Sequence, residues 1–471
     1  MVSLFNVKFN WGAYILILIF IKLFWLDLSF LGFIAIAITL QQFLLLFFSL
    51  GSIMPIRYLL GAFMCLQMLL GSALAYNGLD AFQTNQIYRM QVPEAEYYAY
   101  VIPAVILFIF GLHITAGKLK GEVLNKKEIA YFVDHSGNLP YIFIIVGFVA
   151  DFMGSSLGAS FTFLFYLLGS FKFIGAFMIL LGTRQLKTWV LVLVFGSIIA
   201  STLRGAMFHD LLTWLIMLGA VVTFKYKPSM LIKSAGAIGF ILLAVVIQQV
   251  KGTYREAAWG GAGGGAGLVS FENAVTEKQD DNSLFSKTSL AQSNVRINQG
   301  FIVSHIMTTV PRFVEFENGK ELYKILEAAF MPRILAPNKL NAGDPAIFTK
   351  YSGMRLRPGT SMALSSVGDG YVNFGVFGGC IFMFFLGLLF SEVLNGFYKY
   401  SKYYPFLLLF TPLVFYYPIR PDCELQTSLG HLVKSCFLIY VMILFWKKDL
   451  SKVMHKKKKI PPVTSAIPEL G

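Results

Sequence analysis

The chain has 471 residues, 56% of them hydrophobic and only 14% charged, where an ordinary soluble domain carries about 25% charged residues. A soluble fold is excluded, because it could not hide that much apolar surface. The formal charge of +14, from 39 basic and 25 acidic side chains, would suggest a nucleic-acid partner in a soluble chain. Here much of the excess sits in short loops between apolar runs and in the tail Lys447, Lys448, Lys452 and Lys456 to Lys459, where the positive-inside bias of membrane proteins puts it.

From the N-terminus, a short apolar stretch is interrupted by Lys22 and followed by no small-residue cleavage site, so it reads as a first span and not as a signal peptide. Runs such as Ala99 to Ala116, Phe161 to Gly182 and Val190 to Leu203 approach or reach the roughly 20 residues that cross a hydrocarbon core of about 30 Å. They are continuous and not alternating, which predicts helices and not a barrel. Length and hydropathy predict spans over 12–27, 29–50, 56–76, 98–116, 140–154, 158–182, 188–203, 209–224, 230–249, 370–397, 403–419 and 425–446, about twelve in all. Cys65, Cys380 and Cys436 fall in these spans and Cys423 in a short loop, a distribution that gives neither a disulfide framework nor a metal spacing.

Placing the lysine-rich tail in the cytoplasm and alternating backwards sends Arg57, the Lys118 to Lys127 cluster, Arg184 with Lys187, Lys225 to Lys233, and Lys399 with Lys402 to one side. Both termini are then cytoplasmic. The chain divides into an N-terminal bundle over 1–250 with about nine spans, a large external, periplasmic loop over 251–367, C-terminal spans over 368–447 and a basic tail over 448–471.

The external loop opens with Trp259-Gly-Gly-Ala-Gly-Gly-Gly-Ala-Gly267 and a polar stretch, Glu272 to Ser293, which reads as a linker. No Gly-Lys-Ser/Thr closes the glycine run, so it is not a phosphate-binding loop. Beyond Asn294, Asn298, Phe301 and His305 recur at helical spacing, and Lys320 to Leu335 places Leu322, Ile325, Leu326, Ala329 and Phe330 on one face. The second stretch predicts an amphipathic helix flat on the membrane surface, either packed on the spans or in contact with a lipid substrate. Pro332-Arg333 ends or bends it.

The external side also holds cations that the charge bias does not demand: Arg204, Arg296, Arg312, Arg333, Arg355, Arg357 and Arg420. Singly, each reads as solvated surface; together they suit bidentate recognition of an anionic head group such as a lipid diphosphate. Arg204 ends an apolar run beside His209 and Asp210, with a salt bridge to Asp210 as the structural alternative. Lys172, deep in a span, pairs with Asp151 or faces a hydrated cavity. Candidate bases are His305, Asp369, Asp422 and Glu424. The alternatives are a structural role for His305, helix capping by Asp369, and pairing of Asp422 and Glu424 with Arg420. No Ser/His/Asp nucleophile pattern, His-Glu-x-x-His or metal cage is present in the sequence.

The stretches Arg296-Ile-Asn-Gln-Gly300, Pro332-Arg333-Ile-Leu-Ala-Pro-Asn-Lys339, Gly359-Thr-Ser-Met362 and Gly368-Asp-Gly-Tyr-Val-Asn-Phe-Gly375, with Leu203-Arg204-Gly205 as partner motif, resemble the bacterial O-antigen polymerase (Wzy-type) family of oligosaccharide repeat-unit polymerases. The resemblance implies an all-α integral membrane protein, a glycosyltransferase-C-like bundle with one large external loop containing short helices. It implies a metal-independent enzyme without cofactor that joins undecaprenyl-diphosphate-linked oligosaccharides into O-antigen or exopolysaccharide at the periplasmic face of the bacterial inner membrane, with a chain-length regulator protein as a further partner. By the same resemblance Arg204, Arg296, Arg333, Lys339 and Arg420 would bind diphosphate, and Asp369 or His305 would be the base. The chain departs from the family pattern in having Asp369 where a glutamate is commoner, and in its glycine-rich insert. Two alternatives stay open: an O-antigen ligase-like transferase, and a transporter or flippase of lipid-linked oligosaccharides, against which stand the absence of an internal repeat and the folded external loop.

Overall fold

The computed structural model of the chain describes residues 9–116, 126–154, 159–183, 188–205, 208–259, 271–272, 275–276, 286–331, 335–356 and 362–459. All regular elements among them are helical. In order they are α1 (Trp11–Phe24), α2 (Phe30–Ser49), α3 (Ile56–Tyr76), α4 (Glu94–His113), α5 (Lys126–His135), α6 (Leu139–Gly154), α7 (Phe163–Leu181), α8 (Thr188–Gly205), α9 (His209–Tyr226) and α10 (Met230–Trp259). Then follow α11 (Lys287–Ile297), α12 (Gly300–Thr309), α13 (Lys320–Phe330), α14 (Pro345–Ser352), α15 (Ser365–Ser401), α16 (Pro405–Val414) and α17 (Leu425–Lys459).

Eight of these helices are long and apolar enough to cross a membrane: α2, α3, α4, α7, α8, α10, α15 and α17. A ninth crossing exists if α5 and α6, bent by 79° against each other, count as one. The sequence predicts about twelve, and the difference lies in three places. Helix α1 has only 14 residues, and Lys22 reaches past its end to donate to the carbonyls of Leu26 and Leu28 at 3.3 and 3.0 Å. Helix α9 has 18 residues with His209 and Asp210 at one end and Lys225 and Tyr226 at the other. The stretch 403–419 begins as a 3-10 turn at Pro405–Phe410 and holds only a four-residue α-helix.

The two ends of the bundle differ chemically. At one end, the lysine end, Lys233 donates to the Leu50 carbonyl at 2.7 Å, Lys126 to the Lys225 carbonyl at 2.7 Å, and Lys225 to the Leu180 carbonyl at 2.5 Å. The carbonyls left over at helix ends are thereby satisfied by cations, which also suit the negative end of the helix dipole. Arg57, 2% exposed, lies at the same end. It donates to the Leu112 carbonyl, to Ser391 at 2.6 Å and to Asn395 at 3.1 Å, tying α3, α4 and α15 together. Of the basic segments that the sequence sends to one side, Arg57, Lys126, Lys225 and Lys233 thus share one end of the fold. Arg184, Lys187 and most of the Lys118 to Lys127 cluster lie outside the described residues.

At the opposite, loop end, Ser29 caps α2 through Gly32 N–H at 3.0 Å and donates to Glu94 at 2.6 Å. Asn294 and Asn298 bind into α3, through the Gly71 carbonyl at 2.9 Å and the Ser72 hydroxyl at 3.1 Å. Helices α11 to α14 therefore form a cap seated on the ends of the spans. The glycine run 260–267 lies outside the described residues. In the middle of the bundle the expected pair is present: Lys172 on α7 donates to Asp151 on α6, so the cation inside a span is neutralised locally.

Candidate functional site

The motif Gly368 to Gly375 forms the first turns of α15 and ends in a break. Gly375 has φ 65° and ψ −160°, a conformation for glycine, and the Phe316 ring closes over it so that a side chain's first carbon would come within 3.2 Å. The short helical piece ahead of the break is fixed to the cap. Glu317 N–H donates to the Val372 carbonyl at 3.0 Å, and Asn373 accepts Leu322 N–H at 3.0 Å while donating to the Asp369 carbonyl at 2.9 Å. Asn373 on one helix thus satisfies an orphan amide at the start of another, α13.

This arrangement buries the side chain of Asp369, 7% exposed, in a small cleft between α13, α14, α15 and the start of α17. Glu321, Asp344 and Glu424 also line the cleft, with Asn341 and Gln426 as further polar groups and Ile325, Leu340, Phe348 and Met362 in the apolar wall. Asp369 lies close to Glu424, to Glu321 and to the backbone N–H of Leu425. Glu424 accepts Gly343 N–H at 2.9 Å on both oxygens and the Thr427 hydroxyl at 3.3 Å. Burial, with Asp344 nearby, still pushes the Glu424 carboxyl above the usual range.

A second layer holds Glu321 in place. The Tyr351 hydroxyl stands 2.8 Å from Glu317 and 3.3 Å from Glu321. Lys350 donates to Glu317 at 2.6 Å and Lys324 to Glu321 at 3.1 Å. The hydrogen bond from Lys350 holds the Glu317 carboxyl below its ordinary value. The cleft can therefore accept protons and hydroxyl hydrogens, and its lining contains no cation among the described residues. The same carboxylates form no cluster with metal-ligand geometry among the described residues.

Of the residues singled out in the sequence, Asp369 and Glu424 meet in the cleft, and Arg420 lies beside it. Arg420 pairs with Asp422 at 3.3 Å, stacks on Tyr417 at 5.7 Å and lines a smaller cavity that shares Leu425 with the cleft. Burial works against its charge, but Asp422 outweighs that and holds the guanidinium firmly protonated. His305 is elsewhere: its Nε2 lies 2.9 Å from the Ile87 carbonyl, to which it donates, and burial lowers its basicity. Lys339 caps α13, donating to the carbonyls of Ala328 at 3.0 Å and of Met331. Arg204 and Arg296 are exposed on α8 and α11. Asp210, offered as the partner of Arg204, accepts instead from the Tyr416 hydroxyl. Arg333, Arg357 and Gly359 to Ser361 lie outside the described residues, while Arg312 and Arg355 are exposed.

Sequence reasoning did not single out Glu321, Tyr351 or Asn373. The signal for Glu321 was available, because it shares a helical face with Ile325 and Ala328, and an acid on the buried side of an amphipathic helix needs a reason.

Fold and site together define a polytopic helical membrane protein whose cap of short helices closes an acidic cleft against the ends of its spans. The chain belongs to the family described as a domain of unknown function, DUF8712, whose model matches residues 49–404. No curated protein and no solved structure matches it.

Proposed function

We propose that the chain is a glycosyltransferase that polymerises undecaprenyl-diphosphate-linked oligosaccharide repeat units into O-antigen or exopolysaccharide chains. In this reading the cap lies on the periplasmic side of the bacterial inner membrane, both termini are cytoplasmic, and the bundle is glycosyltransferase-C-like with the shorter helices α1, α9 and α16 completing about twelve crossings. The observation that carries it is the buried carboxylate of Asp369, in a cleft where cap and spans meet, within the motif that resembles the polymerases.

The chemistry needs little else. Asp369 takes the proton of the acceptor hydroxyl as its oxygen forms the new bond to the donor's anomeric carbon. The bond from that carbon to the diphosphate oxygen breaks, and undecaprenyl diphosphate leaves with the electron pair. Glu321 and Glu424 accept hydrogen bonds from sugar hydroxyls and orient the acceptor. Arg420 is the cation best placed for the departing diphosphate; Arg204, Arg296 and Lys339 stand apart from the cleft and would act on it only at longer range.

The test is reconstitution in nanodiscs with a defined lipid-diphosphate-linked repeat unit, with products resolved on a gel. A ladder of lengthening glycans that disappears in Asp369→Asn supports polymerisation. Transfer of a single glycan to a different lipid acceptor would indicate a ligase, and translocation of the lipid without a ladder would indicate a transporter.

A further inference from the structure

Helix α13 has two faces of different character. Glu321, Ile325, Ala328 and Ala329 are buried against the rest of the protein, whereas Tyr323, Leu326 and Phe330 are 71%, 37% and 55% exposed. The three exposed residues are spaced i, i+3 and i+7 and form one stripe. Met331 and Leu335 continue the apolar run beyond the helix end, and both are exposed. Lys320 and Lys324, also exposed, lie beside the stripe. The sequence pattern had grouped Leu326 and Phe330 with Ile325 and Ala329; the fold separates them.

A stripe of large apolar side chains with flanking lysines is not a surface for water. What covers it is indicated by the neighbouring span. Helix α15 carries its own exposed stripe at Phe374, Phe377, Ile381, Phe385 and Leu389, spaced by three or four residues down a membrane-crossing helix, and that stripe faces acyl chains. The start of α13 adjoins the top of that stripe: Gly319, immediately before α13, packs against the Phe374 ring, with only 3.5 Å between the ring and the place of a first side-chain carbon. We infer that α13 lies in the boundary between head groups and acyl chains of the leaflet on the loop side. Tyr323, Leu326 and Phe330 enter the acyl region, and Lys320 reaches up to lipid phosphates while Lys324 stays paired with Glu321 on the solvent side. The partner is the bilayer itself, and this holds whether or not the cleft performs glycosyl transfer. One consequence concerns that cleft: α13 is its wall, so Glu321 and Asp369 lie about one helix diameter, ~10 Å, from the lipid head groups.

The experiment uses the full chain in nanodiscs of phosphatidylethanolamine and phosphatidylglycerol. Spin labels are placed by Tyr323→Cys, Leu326→Cys, Phe330→Cys and, as a solvent-side control, Lys324→Cys, with the identically treated unsubstituted chain as blank. Relaxation by oxygen, which concentrates in acyl chains, is compared with relaxation by a water-soluble nickel chelate. The oxygen-to-nickel ratio is expected to be severalfold higher at 323, 326 and 330 than at 324. Nickel access at all four positions would mean that the stripe is solvated, and exclusion of both reagents at 323, 326 and 330 would mean that protein covers it. Either result overturns the inference, and neither depends on enzymatic activity.

Discussion

The carboxylate of Asp369 faces the backbone N–H of Leu425, so an acid in the second turn of α15 lies at the N-terminal end of α17. The sequence suggested that Asp369 could cap its own helix. It lies instead against the start of a different one, 56 positions later, because the glycine break at 375 turns the start of α15 under the cap and toward the mouth of α17. A helix N-terminus stabilises a negative charge, which offsets part of the repulsion from Glu321 and Glu424 across the cleft.

That relationship separates chemistry from scaffolding. Asp369→Asn keeps the shape of the side chain and an oxygen facing Leu425 N–H, while the charge and its repulsion from two neighbouring acids are removed. The thermal midpoint is expected to stay at or above that of the unsubstituted protein, while polymerisation falls by about 10²-fold or more, the scale of a lost general base. A variant that loses stability and activity together would make Asp369 a packing residue.

Glu317 and Glu424 give opposite pH dependences. Lys350 holds the Glu317 carboxyl below its ordinary value, so the folded state prefers the ionised form. Its contribution is complete above the ordinary glutamate value of about 4.3 and is lost as pH falls through the lowered folded value. Burial raises Glu424, so its contribution is present below the ordinary value and is lost as pH rises through the raised one. Glu317→Gln should flatten the acid side of a stability–pH curve, and Glu424→Gln the side above it. Lys350 is 47% exposed, which limits the Glu317 effect to under about 1 kcal/mol. Unfolding followed by tryptophan fluorescence across the carboxylate range reads both.

Much of the frame was legible because a bilayer demands continuous apolar runs and tolerates cations mainly at helix ends. Lys172 with Asp151 was legible for the same reason: an ammonium in a span must be paired, and the preceding span offered one acid. The roles of the separate arginines were not legible. Arg420 with Asp422 is a local pair two residues apart, whereas Arg57 finds Ser391 and Asn395 more than 330 positions away, and no spacing rule reaches that far. Lys339, in a motif suggesting diphosphate, is used as a helix cap. The register of α13 differs from the expected one by about one position, because Leu326 and Phe330 fit an apolar face by composition, whereas Glu321 with Ile325 and Ala328 marks the face that is buried.

The Lys172–Asp151 pair predicts a non-additive stability cycle. Lys172 is 8% exposed at its side chain, so Asp151→Asn leaves an ammonium in the span without its counter-charge. Asp151 is 44% exposed, so the loss is smaller than the roughly 3–5 kcal/mol of a fully buried pair. Lys172→Met with Asp151→Asn removes both charges and should recover most of that loss. Thermal unfolding of the three variants in one detergent measures it, and additive single effects would mean that the pair is solvated.

Arg420 supplies the sharpest test of where the diphosphate sits. Its guanidinium lies over the Tyr417 ring, 5.7 Å from the ring centre, and pairs with Asp422, and its cavity shares Leu425 with the acidic cleft. Lysine would keep the charge but lose the planar fork and the ring contact. Arg420→Lys is therefore expected to raise KM for the lipid-linked donor by about tenfold, near the 1.4 kcal/mol worth of one charge-assisted hydrogen bond, with a smaller change in kcat. Arg204→Ala and Arg296→Ala, on exposed helix surface, should change KM by no more than about twofold. Donor titrations in steady-state polymerisation decide it. If Arg204→Ala has the larger effect, the diphosphate binds at the mouth of α8, and the leaving group must approach Asp369 from the α8–α9 side of the bundle and not from beside α17.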